Sequence, residues 1–271
     1  MGEATLDPLP MSEYVSVAIT LISLGTAAIC DLRTREVSDK VWLLYGPFGL
    51  ALTVYRTLSD PLLLFPTAVS TGFSILVGIG IVYFGLGGGA DGKAVICLAL
   101  TLPIPPTIIH PALGYVYPFL PVVVVVTGYI CSLSIAIWIL ARNLAQKVGG
   151  KRRLFEGLEG ESVWKKALAL MTGYPTDTAK LSSTFYLYPM EKVIENEKGV
   201  RRTLQTYTAT DVDREELIAD FEKSFHKVGS PSTVWVTPGI PLLVFIFAAV
   251  IITLILGDPI IIGLFQFFKL L

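Results

Sequence analysis

Two aspartates stand where carboxylates are costly. Asp31 directly follows an apolar run that ends at Cys30, and Asp91 follows the glycines Gly87, Gly88 and Gly89 and then Ala90. A carboxylate close to hydrocarbon normally faces protein or a wet cavity. Two such groups close together suit amide hydrolysis. Like charges a few ångströms apart do not both ionise easily, so one keeps a proton while the other stays anionic. The anion takes a proton from water, and the acid polarises the scissile carbonyl and later protonates the leaving amine. The pair titrates as a unit. Helix ends suggest an asymmetry: Asp31 lies near a helix C-terminus, which disfavours an anion, and Asp91 near an N-terminus, which favours one. On that ground Asp91 is expected to be the general base and Asp31 the acid. A lone aspartate at a helix end is commonly a cap or a solvated turn residue. A pair on one membrane face, with one member behind a glycine turn, is less readily explained in that way.

Around Asp91, the glycines Gly88, Gly89 and Gly92 remove side chains where an extended substrate backbone would have to approach, and they permit positive φ. A plain tight turn between two spans would use the same residues. With Lys93 they are the candidate substrate-binding residues. Lys93 could tune Asp91 or could simply snorkel from its helix end. Asp39 reads as the cap of the second span, and Asp60 and Asp258 fall on the opposite membrane face. His110 and His226 have no partner motif. Cys30, Cys97 and Cys131 are isolated within apolar runs, so no zinc or redox pair is indicated. No metal and no other cofactor is expected.

Whatever positions these residues is a membrane scaffold. Of 271 residues, 53% are hydrophobic and 16% charged, and the apolar ones cluster in runs of roughly 17 to 25, long enough for a bilayer core. The net charge of −1, without a basic stripe, argues against a nucleic-acid partner. Spans are expected at 14–30, 41–56, 62–86, from near Lys93 with interruption by Pro103, Pro105 and Pro106, at 118–140, and at 237–256. The acidic N-terminus, with Glu3, Asp7 and Glu13, does not resemble a cleaved signal peptide, so the first run reads as a retained span. The closing run, 260–271, is too short to cross again.

Arg33, Arg35, Lys40, Lys93, Arg142, Lys147, Lys151, Arg152 and Arg153 mark connections on one side, against Arg56 and Lys269 on the other. Positive charge concentrates in the cytoplasm, which puts both aspartates at the cytoplasmic face and both termini outside. The polar stretch 142–235 reads as a small cytoplasmic domain. It offers a helix at 161–171, strands at 184–194 and 200–208, and a helix at 213–225 capped by Asp211 or Asp213. The expected architecture is an all-α polytopic membrane protein. A six-helix bundle takes 1–141 and 236–271, with a small α+β domain inserted before the last span.

At these residues the chain resembles a known family. The stretch from Asp31 to Val37 (DLRTREV), together with Gly88-Gly89-Ala90-Asp91-Gly92-Lys93, is similar to the type IV prepilin peptidases and most closely to their archaeal branch, the preflagellin (prearchaellin) peptidases. These are membrane aspartyl proteases of the GxGD class. The resemblance implies that Asp31 and Asp91 are the catalytic aspartates, and that the substrates are preflagellins or type IV pilin-like precursors carrying a short basic leader. Six spans with a polar domain before the last also fit the archaeal members. Ala90 stands at the second glycine of GxGD, and it is small enough to keep close approach. The CxxC pairs of bacterial relatives are absent from the sequence, so methyl transfer is not expected. Glu156, Glu159 and Glu161 could attract a basic leader, although a solvated acidic stretch explains them more simply. A GxGD protease of broader specificity is one alternative. An ion- or proton-coupled transporter using the same aspartates is another, weakened by the absence of an inverted repeat.

Overall fold

A computed structural model of the chain describes residues 8–115, 118–148, 154–196, 199–205, 214–226, 232–260, 262–263 and 266. Helix α1 (Pro8–Thr34) extends beyond the apolar run at both ends, so Asp31 lies inside its last turn. Arg35, at φ 61°, ends it in the left-handed conformation typical of a residue just past a helix. Helix α2 (Asp39–Ser59) starts at Ser38, whose hydroxyl accepts the Lys40 N–H. The cap is therefore Ser38 and not Asp39, because serine's short hydroxyl reaches back to the first turn from outside it.

A 3₁₀ turn at Pro61–Leu63, capped by Asp60, leads into α3 (Leu64–Tyr83). That helix stops earlier than expected, where Gly85 takes φ 64°. Helix α4 (Gly89–Thr101) begins before Asp91 rather than after it. Its 13 residues give it a length of about 20 Å, and the prolines after Leu102 prevent its continuation. Helix α5 (Leu120–Val148) outruns its apolar stretch by about two turns.

The polar stretch contains α6 (Val163–Thr172), β1 (Tyr174–Asp177), α7 (Thr178–Ser183), β2 (Leu187–Pro189), β3 (Glu191–Asn196), β4 (Gly199–Leu204), α8 (Arg214–His226) and β5 (Thr233–Pro238). The strand expected at 184–194 is divided at Met190, whose N–H donates to Trp235 O and whose carbonyl accepts from Gln205 N. The expected caps Asp211 and Asp213 of α8 lie outside the described residues. Residues 233–238 were expected as the end of the polar stretch running into the last span. They are instead the central strand of an antiparallel sheet in the order β1-β5-β2, with Tyr174 opposite Val236 and Tyr188 opposite Thr237. Helix α9 (Leu242–Leu256) consequently starts only after Pro238, Gly239 and Pro241. The closing run lies largely outside the described residues.

The chain forms two compact units. The first comprises Met1–Ser132 and Pro241–Leu271, the second Leu133–Ile240. The first unit packs Ala27 of α1, Tyr45 of α2, Leu98 of α4, Val124 of α5 and Ile246 of α9 into one core. Among the described residues, three helical stretches, Leu9–Thr34, Pro61–Tyr83 and Leu120–Val148, are long and apolar enough to cross a membrane. Large apolar side chains left exposed on α2 and α3, among them Leu43, Leu44, Phe65 and Leu76, are what a bilayer would cover. Arg56, expected in an external loop, is instead buried. It donates to the Thr101 carbonyl at 2.6 Å and to Thr53 at 3.0 Å, so a cation meets the negative end of α4.

In the second unit, Phe225, Val234, Val236 and Ile139 share one core, and Leu158, Ala169 and Trp235 another. Glu191 is buried beside these cores, accepting from Trp235 N at 2.7 Å and from Arg202 Nε at 2.8 Å. Burial pushes its carboxyl above the usual carboxylate range, against the pull of the Trp235 N–H and the Arg202 guanidinium.

Candidate active site

Asp91 occupies the first turn of α4, and its Oδ2 accepts the Gly88 N–H at 2.8 Å. That bond satisfies one of the free donors at the helix start. Asp91 therefore does cap its own helix, through one carboxylate oxygen. Gly87 makes the arrangement possible: a Cβ there would stand 2.9 Å from Ile81 Cγ2 and 3.0 Å from Asp91 Oδ2. The turn is further tied by Tyr129 of α5, whose hydroxyl donates to Leu86 O at 3.1 Å.

Asp31 reaches the site from α1. Its Oδ2 accepts the N–H of Leu243, the second residue of α9, at 3.3 Å. Asp31 thus faces a helix N-terminus, where unpaired N–H groups favour an anion. The expectation that its surroundings disfavour charge rested on α1 alone, and the approach of α9 removes it. Helix N-termini thus favour an anion at both carboxylates.

The structure brings these two aspartates together. Each is 9% exposed, and they are close enough for the charge of Asp31 to act on Asp91, with that of Arg35 acting on both. Arg35 Nη1 lies 3.8 Å from Asp31 Oδ1. The i, i+4 spacing of Arg35 and Asp31 is visible in the sequence, and the extension of α1 by about one turn past its apolar run puts that spacing to use. No local signal could have indicated Leu243, which is 212 positions from Asp31.

The other candidates are arranged around this pair. Gly88 is the N-cap and Gly89 the first residue of α4, and a Cβ at Gly89 would meet nothing within 4 Å, so its surface is open. Neither they nor Gly92 has positive φ, which falls at Gly85. Gly92 faces α3, where an added Cβ would lie 2.5 Å from Val82 Cγ2 and 2.8 Å from the Gly78 carbonyl. Gly92→Ala is expected to lower stability by about 1–3 kcal/mol through overpacking, read as a drop in the thermal midpoint in detergent, because the carbonyl cannot rotate aside. Lys93 pairs with Asp39 at 2.6 Å, both well exposed, which links α4 to the start of α2 with little energetic weight. Among the described residues, no group of three or more His, Cys, Asp or Glu could hold a metal ion. In the second unit, the Glu161 carboxylate is committed to Lys165 at 3.1 Å and Arg201 at 3.9 Å, and Glu159 accepts the Gly157 N–H.

Two family models match the chain. Residues 18–140, which hold both aspartates, match the model of the type IV leader peptidase family, and residues 165–259 match the model described as archaeal peptidase A24 C-terminus type II. A preflagellin peptidase of Methanocaldococcus jannaschii is 30% identical over 93% of this chain and 97% of its own. Those of Methanococcus voltae and Methanococcus maripaludis are each 28% identical, over 91% and 92% of this chain and 97% of their own. With two matched segments and a likeness that runs nearly from end to end, the chain belongs to the type IV leader peptidase family, and it is a membrane protease.

Proposed function

We propose that the chain removes the leader from preflagellin at the cytoplasmic surface of the membrane, with Asp31 and Asp91 as the catalytic pair. The observation that carries this reading is the meeting of two largely buried carboxylates, one from α1 and one from α4, within reach of each other's charge. The relatives named as preflagellin peptidases supply the substrate class. One carboxylate takes a proton from water as the water oxygen bonds to the scissile carbonyl carbon. The other gives its proton to the amide nitrogen as the C–N bond breaks. The open surface at Gly89 leaves room for an extended peptide beside Asp91.

The topology belongs to the same proposal. Helices α1, α2, α3, α4, α5 and α9 make six crossings, with α4 and α9 the short ones at 13 and 15 residues. Arg33, Lys40, Lys93 and Lys147 lie in or next to the terminal turns of α1, α2, α4 and α5, at helix ends assigned to the cytoplasm by charge. A leader held in the cytoplasm ahead of an apolar helix in the bilayer would present its junction at the depth of the aspartates.

The test is cleavage of a preflagellin by the full chain purified in detergent, with the cut mapped by mass spectrometry. Cleavage at the leader junction is expected, and an intact precursor overturns the reading. Labelling in a cysteine-free background checks the topology. Ser38→Cys should react from the cytoplasmic side and Ser59→Cys from the other, and reaction of both from one side would remove the six-crossing arrangement.

A further inference from the structure

Among the described residues, Arg35 alone combines a side chain with a left-handed backbone, at φ 61°. It follows directly on the end of α1, a place where glycine is the ordinary occupant because an L side chain crowds the backbone there. Thr34 helps to hold the turn. Thr34 Oγ1 donates to Cys30 O at 3.0 Å and accepts the Glu36 N–H at 3.4 Å, and neither bond involves the Arg35 side chain. The guanidinium is directed to the aspartates instead. It is 22% exposed and its Nη1 lies 3.8 Å from Asp31 Oδ1, and its charge reaches Asp91 as well.

Among the described residues, the surroundings hold no second cation committed to the same task. Asp31 comes from α1, Asp91 from α4 and the Tyr129 hydroxyl from α5, while α9 contributes the Leu243 N–H. Lys93 is engaged with Asp39. Arg35 is therefore the positive charge that both carboxylates feel, and its left-handed backbone sets the direction in which the side chain leaves the chain. A residue kept in a sparsely populated conformation beside a reactive pair is the pattern expected where strain serves position.

We propose that Arg35 is a positioning residue for the aspartate pair, its left-handed turn holding a guanidinium against Asp31 so that the two carboxylates keep one negative charge in working geometry. This rests on the reading of Asp31 and Asp91 as the catalytic pair. It predicts opposite signs for stability and activity. Arg35→Gly relieves the backbone and is expected to raise the thermal midpoint, while kcat falls by about 10²-fold and KM changes little, because the loss is in the chemistry rather than in docking. Arg35→Lys keeps the charge and should recover much of kcat, whereas Arg35→Gln should not.

The assay is preflagellin cleavage by the full chain in detergent, run beside Asp31→Asn and Asp91→Asn. Lysine rescue without glutamine rescue, together with a slower but more stable glycine variant, supports the proposal. Cleavage by Arg35→Gln or Arg35→Gly within about twofold of the native rate, or equal rates for Lys and Gln, overturns it. If those results appear while both Asn variants are inactive, only the role of Arg35 is lost. If either Asn variant cleaves normally, the catalytic pair falls and the proposal with it. An Arg35→Gly variant less stable than the native chain overturns the strained turn, and the Lys and Gln comparison then decides the role of the charge alone.

Discussion

Asp31→Asn and Asp91→Asn are each expected to slow preflagellin cleavage by at least about 10³-fold, since a positioned acid or base contributes up to about 10⁴-fold. The asparagine amide is nearly the same size as the carboxylate but neither takes nor gives a proton at working pH. It still carries a carbonyl oxygen. In Asp91→Asn that oxygen can accept the Gly88 N–H, and in Asp31→Asn the Leu243 N–H, bonds that the native carboxylates make at 2.8 and 3.3 Å. Stability should consequently move little. Alanine is the poorer probe because it strands those donors, and loss of such a cap costs about 0.5–2 kcal/mol. Two groups that act as a unit give non-additive losses, so the double variant should be hardly slower than the slower single one. Rates by mass spectrometry and thermal midpoints by intrinsic fluorescence separate the two effects. A single Asn variant retaining about a tenth of the native rate or more would end the paired mechanism.

The other large effect lies in the second unit. Glu191 has no exposed side-chain surface, and its carboxylate is held by Arg202 and by the Trp235 N–H of the central strand β5. A buried pair adds little over a well-packed apolar substitute, but removing one partner strands the other at a cost of about 3–5 kcal/mol. Arg202→Met is expected to destabilise the sheet region by that amount. The effect should depend on pH, with a sign fixed by burial. The Glu191 carboxyl lies above its unfolded value even with Arg202 present, and without Arg202 it rises further. The folded state then binds the extra proton, so stability is lost as pH rises through the window between the unfolded and folded values. Amide hydrogen exchange on the full chain should show β3, β4 and β5 opening more readily at about pH 8 than at about pH 5 in the variant. Exchange unchanged from the native protein at both values would refute the assignment. Glu191→Gln keeps an acceptor for Trp235 N and leaves no buried anion behind, so it should cost less than Arg202→Met.

The acid and base roles expected from the sequence show how far local reading carries. Judged from its own helix, Asp31 sits at the end that repels an anion. In the folded chain the start of α9 reaches the same carboxylate with an N–H. Both aspartates then face helix N-termini, in a site to which four helices contribute. Lys93 illustrates the same limit. It lies two residues from Asp91 in sequence, yet its amine is engaged with Asp39 of α2.

Features that depend on solvent and near neighbours are legible in the chain alone. Apolar runs of span length, the glycine turn before Asp91, the proline stop after α4 and the α6 helix ended by Gly173 are all written within a few residues of where they act. Folding in three dimensions supplied the remainder. It made 233–238 a central strand, because two partners far along the chain, β1 and β2, supply its hydrogen bonds. It also set Leu243 against Asp31, pressed Gly92 to the backbone of α3 and left Arg35 in a strained turn beside the carboxylates. Each of these depends on segments distant in sequence coming together, and no local propensity encodes that meeting.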